Sequence, residues 1–303
     1  MLEKNFQDFV NRCETENLGI EGVAVADDKR VLLEHHFAPD LPRNIYSHTK
    51  SFMATAAGIA IADGKLRLDD HLADFFPEAV PQNPDERLLR ITLRHLLTMS
   101  SGMNHAFLMG ADRRAGIGAP DYLRYFMRLP VEVEPGSGFV YSSADSIIAG
   151  YMIEKATGQR LGEYLYARLL QPLGLGWPIW ENDPQGHPVG CGGMFMKLTD
   201  MMRLGQLYLA GGRWNGAQLV EPEWIAAATA KQIETPGDDI WLRGYGYQFW
   251  LSPYPDSYRA DGAYGQVTTV LPQSGLTVAV QCPETGDFAP VKRALHECLL
   301  SQL

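Results

Sequence analysis

Ser47-His48-Thr49-Lys50-Ser51-Phe52-Met53-Ala54-Thr55-Ala56-Ala57-Gly58-Ile59-Ala60-Ile61-Ala62-Asp63-Gly64 is the stretch on which the fold turns. From Phe52 to Ala62 it is apolar on nearly every side, as a helix buried at the centre of a domain must be. Asp63-Gly64 is a usual C-terminal stop, so a helix is expected from about His48 to Ala62. Thr55, Gly58 and the short length keep it from being a membrane span. Lys50 is out of place in the first turn, where the helix dipole favours anions. Ser47 and Lys50 project from one face of the buried end, within reach of each other. Burial and the dipole together lower an amine's pKa, and a neutral amine can accept a serine proton. The plainer alternative is an N-cap serine followed by a solvated lysine. A Ser and a Lys three apart occur about once by chance in a chain of this length.

Outward from that helix, the chain changes period twice. Leu2, Phe6, Phe9 and Val10 share one face of an N-terminal amphipathic helix, with Glu3, Lys4, Asp8 and Arg12 interrupting any signal-like apolar run. Ile20 to Ala26 and Arg30 to His36 read as a hairpin about Asp27-Asp28-Lys29. Helical patterns follow over Thr92–Met99, Pro120–Met127, Ser143–Ala156, Gly162–Leu170, Thr199–Ala210 and Pro222–Ala230. From Gly246 the period becomes two, with strands expected over Tyr247–Leu251, Ser257–Ala260, Gln266–Leu271 and Leu276–Gln281, then a closing helix over Ala289–Leu300. Strands at both ends and helices between imply an α/β (α+β) fold. Its antiparallel sheet is flanked by helices and built from residues 1–66 and 238–303, with an all-helical domain, 67–237, inserted.

The 303 residues are 46% hydrophobic and 20% charged, enough to bury a substantial core. A formal charge of −10 disfavours nucleic acid and anionic membranes as partners and leaves a small molecule as the expected one. Cys13, Cys191, Cys282 and Cys298 form no C-x-x-C pair, and His35, His36, His71 and His95 have no metal-ligand spacing. No G-x-S-x-G or completed G-x-G-x-x-G occurs, and His296-Glu297 lacks a zincin's second histidine. Neither metal nor cofactor is expected. With no signal peptide in the chain as given, a cytoplasmic setting is expected.

Two further segments carry chemistry-bearing residues. Pro135-Gly136-Ser137-Gly138-Phe139-Val140-Tyr141-Ser142-Ser143 is a glycine-rich loop delivering Tyr-x-Ser to a helix start. Its plainer reading is a packed core tyrosine and an N-cap serine. Arg259-Ala260-Asp261-Gly262-Ala263-Tyr264-Gly265-Gln266 leads into a β-branched strand, or is simply a sharp turn. Together with Ser47-x-x-Lys50, these segments resemble the serine β-lactamase and penicillin-binding-protein superfamily. The likeness is closest to its class C branch, which includes family VIII esterases and 6-aminohexanoate-dimer hydrolases. It covers nearly the whole chain, including Thr92–Gly102 and Gly192-Gly193-Met194.

The resemblance implies that Ser47 is acylated, that Lys50 is its partner, and that Tyr141 relays protons; either of the latter two is eligible as the base. It implies an oxyanion hole from the backbone N–H groups of Ser47 and Ala263, and substrate contacts from Ser143, Ala260, Gly262 and Tyr264. Ser143 stands where the class C pattern usually has Asn. Ala260 stands where the family's K-T-G motif offers a cation, and Arg259, one residue off, should point away. Without that cation a carboxylate-bearing β-lactam or peptidoglycan peptide is poorly recognised. The expected function is therefore hydrolysis of a carboxylic ester or small amide through an acyl-enzyme on Ser47. The rivals are a β-lactamase or D-Ala-D-Ala carboxypeptidase, and a catalytically silent binder of the same fold. Trp241, Tyr245, Trp250, Tyr254, Tyr258 and Tyr264 are candidates for the acyl pocket, with core packing as the alternative.

Overall fold

The computed structural model describes residues 1–284 and 286–303. Five helices matter for the site: α1 (Leu2–Thr15), α2 (Thr49–Ala62), α3 (Ser143–Thr157), α4 (Leu198–Leu209) and α5 (Ala289–Cys298). The main sheet takes β1 (Gly22–Ala26) and β2 (Val31–His36) from the N-terminal part. It takes β3 (Trp250–Leu251), β4 (Tyr258–Gly262), β5 (Gln266–Leu271) and β6 (Leu276–Gln281) from the C-terminal part. The order is β2-β1-β6-β5-β4-β3 and every pairing is antiparallel. β1 joins the two chain ends, with Val23 opposite Val280 and Val25 opposite Val278. The hairpin turn closes on Asp27, whose Oδ1 accepts from the backbone N–H of Lys29 and Arg30 at 2.8 and 2.7 Å.

Alternation along these strands decides what covers each face. Val23, Val25, Val267, Val278 and Val280 meet α1 and α5, while Ala24, Ala26, Ala260, Val270 and Ala279 lie in the core that holds α2 and α4. The second face is lined with small residues, so α4 approaches closely, Gly205 lying against Thr268, Val270 and Thr277, and on α2 beside it every residue from Thr49 to Ala60 is buried. That explains the apolar run: with sheet on one side and helices on the other, α2 has no face left for water. Phe52 alone, fully buried, contributes roughly 1.5–3 kcal/mol by leaving water. No helix among the described residues is long and apolar enough to cross a membrane.

The expected helices between the chain ends form, most of them shorter than their patterns: Leu93–Leu97, Tyr122–Phe126, α3, Leu161–Leu165, α4 and Pro222–Thr229. The fourth widens into a π-helical turn over Tyr166–Leu170. The strand expected over Tyr247–Leu251 is a correction: only Trp250 and Leu251 pair with β4. Gln248 sits at φ +62°, which breaks an extended run. Its buried amide donates to the carbonyls of Leu96 and Leu97 and accepts from Ser146 Oγ at 2.7 Å. Long-range satisfaction of those polar groups outweighs the local β pattern.

Candidate active site

Ser47 does not cap α2. It lies in a single 3-10 turn, Tyr46–His48, that precedes the helix, and its hydroxyl accepts a hydrogen bond from Lys50 Nζ at 3.0 Å. The solvated-lysine alternative also fails, since Lys50 is 1% exposed. Its ammonium also donates to the Cys191 carbonyl at 2.8 Å and lies 5.0 Å from the centre of the Tyr141 ring. Burial pushes the Lys50 amine down to about 8, Cys191 opposing and the nearby Arg113 guanidinium adding to the drop. The partly buried hydroxyl of one residue and the fully buried amine of the next turn thus meet.

Tyr141 is carried to the same point by a braced loop. Gly136 and Val140 donate backbone N–H bonds to the carbonyls of Ser100 and Met99 at 2.8 and 2.9 Å. Ser142 Oγ accepts from the Phe107 N–H at 3.1 Å. Tyr141 stacks on Trp250, its ring centre 5.5 Å away, and meets Tyr245 edge-on, while Phe139 packs against Tyr245 and Trp250. Burial pushes the Tyr141 phenol well above its usual range, partly offset by its hydrogen-bonding contact with Ser47. Ser143 is buried at the first position of α3, two residues past the tyrosine.

The third segment closes the site from the sheet side. A Cβ on Gly262 would stand 2.2 Å from the Ile45 carbonyl oxygen, so only glycine lets β4 run against the chain entering the Ser47 turn. Ala263 follows directly and opens the 3-10 turn Ala263–Gly265. Ala260 is buried and pairs with Thr268 across the ladder, on the sheet face that meets α2. Tyr264 is 45% exposed and meets Tyr46 edge-on with ring centres 5.1 Å apart. Arg259 does point away. It donates to Asp261 at 2.7 Å and to the carbonyls of Leu251 and Trp241 at 2.8 and 3.0 Å, so its charge is already engaged.

Of the aromatic candidates, Tyr245 and Trp250 join the Tyr141 cluster, and Tyr264 lies exposed against Tyr46. Trp241 and Tyr254 pack instead with His296 of α5, and Tyr258 packs with Tyr208 and Phe249 in the core. Parity on the strands and loop geometry separate the two sets, and neither is visible in composition.

Three residues near the chemistry escape sequence reasoning. Cys191 acts through a backbone carbonyl, which leaves no side-chain signature. His48, beside Ser47, bonds Thr268 Oγ1 at 2.9 Å, and burial pushes it down to about 3, so it stays neutral. Gln248 accepts from Ser51 Oγ at 2.7 Å through its carbonyl and ties α2 to the loop before β3.

Comparison with known proteins gives consistent results. The chain is 36% identical over 141 residues to esterase EstB of Burkholderia gladioli, covering 43% of this chain and 36% of that protein. It is 30% identical over 227 residues to the lovastatin esterase of Penicillium rubens, covering 66% of this chain and 55% of that protein. The chain thus spans only about a third to a half of these two relatives. Among solved structures, the octameric penicillin-binding protein homologue from Pyrococcus abyssi superposes with a TM-score of 0.75 at 21% identity. That superposition covers 97% of this chain and 76% of the other, and it bears out the expected β-lactamase/transpeptidase-like fold. A family model described as Beta-lactamase matches residues 3–297. By that match, across nearly its whole length, the chain belongs to the Beta-lactamase family.

Proposed function

We propose that the chain is a serine hydrolase that cleaves a small carboxylic ester or amide through an acyl-enzyme on Ser47. The observation that carries this reading is the buried Lys50 amine, 3.0 Å from Ser47 Oγ. With its pKa pushed down to about 8, about a tenth of the amine is neutral at pH 7 and free to take the serine proton. The Tyr141 phenol is pushed the other way and stays protonated, which suits a donor. On this reading Lys50 is the base. Ser47 Oγ attacks the carbonyl carbon, and Lys50 takes the hydroxyl proton. The oxyanion is held by the N–H groups of Ser47 and Ala263. Tyr141 then gives its proton to the departing alcohol or amine and is reprotonated from Lys50. Water repeats the cycle on the acyl-enzyme.

The neutral amine sets the pH dependence. Lys50 is inactive as a base when protonated, so kcat/KM on p-nitrophenyl acetate is expected to rise about tenfold per pH unit below about 8 and to level above it. A profile flat from pH 6 to 9 would show that the lysine proton does not govern acylation.

Ala260 supports an ester or uncharged amide over a β-lactam. No cation stands on β4 beside Gly262 on the site face, and Arg259 is committed elsewhere. A carboxylate would find no cation to pair with at that position of the strand. Short-chain p-nitrophenyl esters are therefore expected to be hydrolysed with kcat/KM orders of magnitude above penicillin G or a cephalosporin. Comparable values for both would return the β-lactamase or carboxypeptidase rival.

A further inference from the structure

Tyr46 and Tyr264 flank the two residues whose N–H groups form the oxyanion hole in the reading above, on which this inference rests. Tyr46 precedes Ser47 and Tyr264 follows Ala263. Both have left-handed backbones, φ +48° and +60°, a conformation that bulky residues avoid unless their surroundings impose it. At Tyr46 those surroundings are visible. Its N–H donates to Asn44 Oδ1 at 2.9 Å, its phenol contacts the Glu284 carboxylate, and its ring meets that of Tyr264 edge-on, 5.1 Å between centres. Gly262, packed on the Ile45 carbonyl, brings the two chain segments together behind the rings.

We propose that the Tyr46–Tyr264 ring pair is a positioning clamp, locking the two left-handed turns together so that the Ser47 and Ala263 N–H groups converge on one point. Neither ring supplies a reacting atom. The clamp acts on the geometry of the donors, which matters most when negative charge develops on the substrate oxygen.

Such a device acts on kcat and spares KM. With p-nitrophenyl acetate, Tyr46→Ala and Tyr264→Ala are each expected to lower kcat roughly 10- to 100-fold while KM moves less than about threefold. The double variant should fall little below the worse single, because either loss opens the clamp. Tyr46→Phe keeps the ring and should restore most of kcat. Tyr46→Gly decides between clamp and mere backbone demand: glycine tolerates φ +48°, so the melting temperature should hold while kcat falls as in Tyr46→Ala.

Full kcat in Tyr46→Gly, losses confined to KM, or multiplicative losses in the double variant would overturn the clamp while leaving the hydrolase reading intact. A parent protein that neither turns over esters nor acquires an acyl group on Ser47 would remove that reading and the clamp with it.

Discussion

Ser47→Ala is expected to lower ester hydrolysis by a factor on the order of 10⁴ or more, since a nucleophile that forms the covalent intermediate has no substitute within reach. The nearest side-chain partner of Ser47 is a lysine already bonded to the Cys191 carbonyl, and His48 is held by Thr268. The fold should survive. Ser47 lies in a 3-10 turn and caps no helix, so the variant loses the Lys50 bond and the Tyr141 contact, together roughly 2–4 kcal/mol. Turnover of p-nitrophenyl butyrate and a thermal melt measure the two quantities together. A large fall in turnover with a melt close to the parent's fits a nucleophile, whereas parallel collapse of both would mean only that the turn had come apart.

The second large effect concerns the proton machinery. Lys50→Ala and Tyr141→Phe should each slow acylation by roughly a hundredfold or more, the scale usual for general acid and base partners. The double variant should fall little further. On the proposed reading both side chains serve one proton path through Ser47, since the amine bonds its hydroxyl, the phenol contacts it, and the amine lies against the tyrosine ring. Lys50→Arg should not rescue, because a guanidinium does not give up its proton to become a base. Single-turnover acylation rates across the four proteins give the coupling directly. Full activity in Tyr141→Phe, or losses that multiply, would require another proton path and would return Tyr141 to a packing role.

The parts of this arrangement visible in the sequence are those set by local pattern. α2 is legible because a helix enclosed on all sides must be apolar all round, and β5 and β6 because their β-branched runs end at the turn Pro272–Gly275. Ser47, Lys50 and Tyr141 were legible as residue types at family spacing, and the structure brings the three together. What stayed hidden depends on distant partners. Gln248 breaks an apparent strand because its amide is needed by Leu96, Leu97 and Ser146, more than a hundred residues away. Cys191 enters through its carbonyl, and no side-chain property marks a residue for that. The 3-10 turn at Tyr46–His48 has no local signature, since the left-handed φ of Tyr46 follows from contacts with Asn44 and Tyr264 rather than from its own preference.

Acylation of Ser47 can be read by treatment with a fluorophosphonate followed by intact-mass analysis and peptide mapping. A single phosphonyl group per chain is expected, on the peptide containing Ser47, and no adduct in Ser47→Ala. An adduct mapping to another serine, or ester turnover by a protein that takes up none, would contradict it.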